Sequence, residues 1–336
     1  MVRDGGRGTL TRRTVLGAIA AAALPAAAAR ADDLRFAHAF GETVLPAPAR
    51  RVVSLGYTTQ DPLLALGVAP LAVRGWFGDM PFGVFPWAQP LLGDAEPVVL
   101  VGEVSMERVA ALAPDLVVAI GSGISEAEYG VLSRIAPTLV HEKGVGPYGT
   151  PWDHLTRTIG RAVGKAAAAD ALVAGVRETY AAARARHPGW ADKTGVAAYH
   201  YGGETGAFIL PDTRASVLAE LGFRPTPAVA ALSGPDEFYA ALSPEDLSPL
   251  DADVLVWVSS FGTAPDLVAL PMRKTLNAYR EGREVYAGPL AAAAMSFGSV
   301  LSLPFVLDLL EADIAAAADG LPETPVASAA AAGLAP

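Results

Sequence analysis

The chain has no cysteine among its 336 residues. That excludes a disulfide framework, thiolate zinc sites, cysteine-ligated iron–sulfur clusters and a lipid anchor carried on cysteine. Histidine is also scarce, at five residues. A direct metal site needs about three histidines and a carboxylate converging on one place. Only His141 and His200 follow strand-like runs; His38, His154 and His187 are poorly placed to join them. Basic residues form no run beyond the N-terminus and the net charge is −10, so neither a nucleic-acid groove nor a patch for anionic membranes is expected. Catalytic signatures are missing as well. There is no G-x-S-x-G elbow, no P-loop, no H-E-x-x-H and no carboxylate pair with a partner base, and Gly202, Gly203 and Gly206 do not make G-x-G-x-x-G.

What is present is a long, apolar, weakly charged chain, 52% hydrophobic and 18% charged, which is enough for two domains with a sizeable core. Residues 1–31 read as an export signal. Arg12-Arg13 precede the short apolar stretch Val15–Leu24, and Ala29-Arg30-Ala31 offers small residues where a signal peptidase reads. The run T-R-R-T-V-L resembles a twin-arginine signal; the alternative is a general secretory signal with an incidental arginine pair. The mature protein is expected to start near Asp32, outside the cytoplasm, with 20 basic and 34 acidic residues.

The most informative stretch is Ser105–Ile120, S-M-E-R-V-A-A-L-A-P-D-L-V-V-A-I, a short helix followed by a buried strand. It returns at a constant offset in Ser243–Val258, S-P-E-D-L-S-P-L-D-A-D-V-L-V-W-V, where Glu245 stands for Glu107 and Asp253 for Asp115. A second echo pairs Leu64–Pro70 with Ala219–Pro225, both ending in L-G-x-x-P. Internal duplication follows, with one acidic residue at a helix start in each half. In the first half, strand-like runs at 51–55, 71–73, 98–101, 116–120 and 138–141 alternate with helical ones, which predicts a parallel sheet covered on both faces. Trp152–Val163 and Ala166–His187 then form a helical segment over residues 152–190, the second helix being the longest in the chain and a rigid connector. The expected organisation is therefore an α/β protein of two Rossmann-like lobes with mostly parallel sheets, at 32–151 and 191–320, joined by one long helix. Leu321–Pro336 shows no periodicity and is expected to be a disordered tail.

Two such lobes leave a cleft at the carboxyl ends of their strands. In the first lobe those ends carry Tyr57, Arg74, Trp76 and Trp87, and in the second Tyr201, Phe208, Arg214, Phe261 and Phe297. Aromatic faces with a few arginines suit a bulky, partly apolar, anionic ligand.

Three stretches carry a family resemblance: R-V-V-S-L-G-Y-T-T-Q-D-P-L-L-A-L-G-V-A-P-L-A-V, S-M-E-R-V-A-A-L-A-P-D-L-V-V and S-V-L-S-L-P-F-V-L-D-L-L. They resemble the periplasmic substrate-binding proteins of ABC transporters for iron–siderophore complexes, a family that also holds cobalamin- and haem-binding members. The resemblance runs from about residue 50 to 318. It implies two lobes on a helical backbone with little closure, a monomer in the periplasm, a ferric siderophore as ligand with no cofactor, and an inner-membrane ABC permease as partner. It further implies that Glu107 and Glu245 dock on permease arginines. Haem or cobalamin is the alternative ligand, and a tetrapyrrole chelatase-like enzyme the alternative from another class. Some hydroxamate-binding members place an arginine just after the third strand, where this chain has Gly102-Glu103, so that contact does not carry over.

Overall fold

The computed structural model describes residues 34–232 and 238–336; the expected export signal lies outside them. The chain enters through a small antiparallel hairpin, β1 (Arg35–His38) and β2 (Gly41–Val44). The first lobe is then built on β3 (Val52–Ser54), β4 (Ala72–Arg74), β5 (Val98–Leu100), β6 (Leu116–Val118) and β7 (Thr138–Leu139), in the order β5-β4-β3-β6-β7 with every pairing parallel. The second lobe uses β8 (Gly195–Tyr201), β9 (Glu204–Phe208), β10 (Tyr239–Ala241), β11 (Val254–Val258) and β12 (Glu284–Ala287), in the order β10-β9-β8-β11-β12. Its β8, β11 and β12 are parallel, while β9 is antiparallel to both its neighbours. The central strands β3, β6 and β11 are buried at every residue, which is why they read as unbroken apolar runs.

Helix Trp152–Ala162 packs on the first lobe through Leu155, Ile159 and Ala162, beside Val52 and Leu116. The connector follows as a 21-residue helix, Ala166–Arg186, about 31 Å long at 1.5 Å per residue. Its Ala169 lies in the first lobe's core, and its Val176, Tyr180 and Ala183 in the second's. Gly160 lets the two helices approach, since a Cβ there would lie 2.3 Å from that of Ala169. The connector ties down the first helix of each lobe. Lys165 Nζ donates to the carbonyl of Leu66, and Arg184 Nη1 to that of Glu220, so each lobe's first helix ends on a cation from the connector.

The duplicated Pro-Asp/Ala-Asp step has a shared structural job. Asp115 accepts from the backbone N–H groups of Arg50 and Arg51, just before β3, and Asp253 accepts from the N–H and hydroxyl of Thr194, just before β8. Each carboxylate pins the start of its lobe's first strand to the strand that it precedes itself.

Several local expectations are corrected. The glycines at 202, 203 and 206 serve a hairpin: Gly202 and Gly203, both at positive φ, turn β8 into β9, which holds Gly206. Residues 289–297 form a helix, Pro289–Phe297, hidden in an alanine run without periodicity. Glu245 does not start a helix; it sits in a turn, followed by the single 3-10 turn Ser248–Leu250, because Pro244 and Pro249 interrupt the segment. The tail is not disordered either. Val326, Ala329 and Leu334 are buried around a short helix, Ala327–Ala331, whose first N–H groups are accepted by Asp313. The Leu334 carbonyl accepts from Arg273, which is itself buried in an ion pair with Glu284.

Candidate ligand-binding cleft

Between the lobes lies a cleft of about 650 Å³, floored by the connector helix and walled by the carboxyl ends of strands from both sheets. Four of the expected residues line it: Tyr57 after β3, Trp76 after β4, Arg214 on helix Thr213–Glu220, and Phe297 at the end of helix Pro289–Phe297.

The first lobe presents a row of rings. Tyr57 stacks on Trp76 with centroids 5.3 Å apart and an interplanar angle of 29°, and the Tyr148 ring lies 6.5 Å from that of Tyr57 at 20°. Tyr148 is held close by Gly123, where a Cβ would sit 2.1 Å from the tyrosine hydroxyl. Arg74 stands behind this row. Its guanidinium is 4.7 Å from the Tyr57 ring centre and donates to the Ser122 carbonyl at 2.8 Å, so it braces the wall and does not line the cleft.

Trp87 is likewise behind the wall. It packs on Phe297 at 5.1 Å and on Phe85 at 4.9 Å, and its indole N–H donates to Asp61 Oδ2 at 2.8 Å. Asp61 is fully buried, and its other contact is the hydroxyl of Ser299 from the second lobe. Burial pushes its carboxyl up to about 6 against the opposing pull of the Ser299 and Trp87 hydrogen bonds, and Oδ1 has no hydrogen-bond partner among the described residues. Trp76 also reaches Phe297, at 5.4 Å. The lobes are thus joined beside the cleft by an aromatic cluster and one carboxylate as well as by the connector.

On the second lobe, Phe208 is buried and does not line the cleft. Its ring lies beneath Arg214, 3.8 Å from the guanidinium carbon. Asp212 grips Arg214 through Nε and Nη2 at 2.8 and 2.6 Å. Tyr199 packs on both Phe208 and the cleft residue Tyr239; burial and a 2.6 Å hydrogen bond to Glu204 raise its pKa. Tyr201 and Phe261 are 59% and 66% exposed and pack on each other at 5.1 Å, away from the cleft lining.

Residues that the sequence pattern did not single out complete the site. Tyr148 follows β7 in a Gly/Pro loop, so the strand-end rule that selected Tyr57 applies to it equally. Arg177 on the connector and Asp153 at the start of the preceding helix pair at 2.6 Å, and no sequence signal separates them from surface charges. Asp212 caps helix Thr213–Glu220, a role legible in D-T-R, but its grip on Arg214 is not.

Three of the five histidines gather elsewhere, in a side pocket of about 240 Å³ with Glu142 and Arg161. His38 is buried and His154 bonds Glu142 at 2.8 Å. Among the described residues no group of three or more His, Asp or Glu is arranged to hold a metal ion.

Glu107 and Glu245 are exposed, and neither carboxylate pairs with another side chain among the described residues. Glu107 is in the first turn of helix Met106–Ala111, capped by Ser105, which follows β5. Glu245 follows β10, which runs in the same direction as β8 because β9 reverses twice between them. Both therefore stand at the carboxyl edge of their sheets, where the cleft opens.

Two α/β lobes bridged by one long helix, with a ring-lined cleft at their strand ends, define a solute-capturing protein. The family model described as periplasmic binding protein matches residues 52–289, and the chain belongs to that family. The chain is similar to a periplasmic solute binding protein from Mycobacterium smegmatis, at 36% identity over 84% of this chain and 97% of that one, with a TM-score of 0.76. The same fold is found in Streptococcus pneumoniae PiaA in complex with ferrichrome (22% identity, 86% and 99% of the two chains, TM-score 0.71). It is also that of Staphylococcus aureus SirA complexed with staphyloferrin B (22%, 82% and 96%, TM-score 0.70). No curated protein sequence gives a significant match. No described helix is long and apolar enough to cross a membrane.

Proposed function

We propose that the protein captures a ferric siderophore in the interlobe cleft and delivers it to an inner-membrane ABC permease, acting as a monomeric periplasmic binding protein and not as an enzyme. The observation that carries this reading is the grouping of the Trp76, Tyr57 and Tyr148 rings with Arg214 in one cleft of about 650 Å³, large enough for a compact iron chelate and offering π faces to it. Family membership supports a solute-binding role, and the ligand-bound relatives of the same fold support iron chelates as the solute class. Export through a twin-arginine signal and docking through Glu107 and Glu245 belong to the same reading.

Trp76 is 44% exposed in the cleft, so its emission reports on an iron complex bound there. Titration with ferrichrome or ferrioxamine B is expected to quench fluorescence saturably, and Trp76→Phe to remove a large part of the quenching. Quenching by haem or cobalamin, with ferric siderophores silent, overturns the reading.

A further inference from the structure

The charges of the cleft are closed on themselves. Asp212, itself buried, holds Arg214 through two parallel hydrogen bonds. Asp153 takes a hydrogen bond from Arg177 at 2.6 Å and one from Arg157 at 2.8 Å, and Arg157 also holds Asp170. The other charged residue of the described lining is Glu220, whose carboxylate lies 3.9 Å from Arg184. Arg74 stands behind Tyr57, with Glu128 as the carboxylate it acts on. The described lining therefore holds two arginines and three carboxylates, and each arginine already has its acid.

A bidentate pair uses the N–H fork that would otherwise close on an anionic ligand. Turning Arg214 towards such a ligand leaves Asp212 as a buried, unpaired carboxylate, an arrangement that strongly opposes the change. Bringing several negative charges into a cleft whose described lining holds no spare cation, on a chain of net charge −10, is unfavourable locally and repulsive at long range. What remains to hold a ligand is chiefly neutral or attracts cations: the faces of Trp76, Tyr57 and Tyr148 and the hydroxyls of Thr58 and Ser216, while the guanidinium N–H groups left over belong to arginines whose charge is already matched by a carboxylate.

We infer that the cleft selects ferric complexes of zero or positive net charge, of the tris-hydroxamate kind, over polyanionic catecholate and hydroxycarboxylate complexes. The inference rests on the ferric-siderophore reading above. Three hydroxamates neutralise one ferric ion, and a pendant ammonium makes the complex singly positive; three catecholates leave it triply negative. It reverses the expectation of an anionic ligand, which counted the arginines without their partners.

The test is a fluorescence titration of the purified protein with ferrioxamine B, ferrichrome, ferric enterobactin and ferric citrate at low salt. The two hydroxamate complexes are expected to bind at least about 100-fold more tightly than ferric enterobactin. Asp212→Asn preserves the helix cap but releases Arg214, and Glu220→Gln changes an exposed rim charge; each is expected to narrow that gap by about tenfold. Equal or tighter binding of ferric enterobactin or ferric citrate to the unmodified protein overturns the inference and leaves the siderophore reading standing. Failure of every ferric complex, with haem or cobalamin binding instead, overturns both.

Discussion

At Asp61 a single carboxylate touches both lobes, accepting from Trp87 within the first and from Ser299 in the second. Ser299 in turn accepts from the N–H of Ser302 at the start of helix Ser302–Ala317, so its one hydroxyl proton is committed to Asp61. The carboxyl is pushed up to about 6 in the folded protein, from the usual 3.8. Between those values the native state binds the proton that the unfolded chain releases, and stability falls as pH rises through that window. The full effect is on the order of 3 kcal/mol, present as a penalty above pH ~6 and absent below ~3.8. Asp61→Asn keeps one acceptor and removes the titration. Urea unfolding of both proteins across this range is expected to show their stability difference moving in the variant's favour as pH rises. A difference that stays flat with pH would mean that folding does not change the proton affinity of Asp61.

At the scale of elements, the parts legible in the sequence are those whose pattern has one cause. β3, β6 and β11 are covered on both faces, so Val52-Val53, Leu116–Val118 and Val254–Val258 announce themselves. The connector is legible because alanine favours a helix throughout and Pro188-Gly189 stop it. Illegible parts depend on a partner distant in sequence. β9 reads as polar and glycine-rich until β8 and β10 close on it, and the Arg214 that looks free is held by Asp212. The tail shows no period because it follows the surface of its lobe, burying Val326, Ala329 and Leu334 at uneven intervals. It also supplies the Leu334 carbonyl to buried Arg273, which donates besides to Glu284 and the Leu267 carbonyl. Ending the chain at Pro325 exposes those three side chains' sites and removes that acceptor. The expected cost is about 3–6 kcal/mol, from burial at about 25 cal/mol per Å² plus the lost hydrogen bond. A urea midpoint within error of the full chain's would show that the packed tail contributes nothing.

For the whole molecule, the proposed delivery to a permease raises the question of how such a partner would recognise lobes that move little. Three links hold their angle: the connector, whose ends are tied to both lobes by Lys165 and Arg184; the Trp76–Phe297–Trp87 cluster; and the Asp61–Ser299 bond. Large closure would break the last two. Orientation by fixed surface charges suits lobes linked in this way, and Glu107 and Glu245 supply one carboxylate per lobe, unpaired among the described residues, at the edge where the cleft opens. Rim charges of this kind steer encounter and set register more than they add affinity. They also need no contact with the ligand, since neither residue lines the cleft. Reversing both, Glu107→Lys with Glu245→Lys, is therefore expected to leave quenching by ferrioxamine B within about twofold of the unmodified protein. The melting temperature should be nearly unchanged, because surface substitutions of this type shift stability by about 0.5 kcal/mol or less. Iron uptake by cells depending on this protein should be lost, with each single reversal intermediate. Glu245 is the sharper case, because it sits in a turn and has no helix dipole to complement. Loss of uptake on its reversal assigns it a partner outside the chain, whereas loss of ligand affinity with uptake following in proportion would place the charge in the binding step and leave the permease contact to other residues.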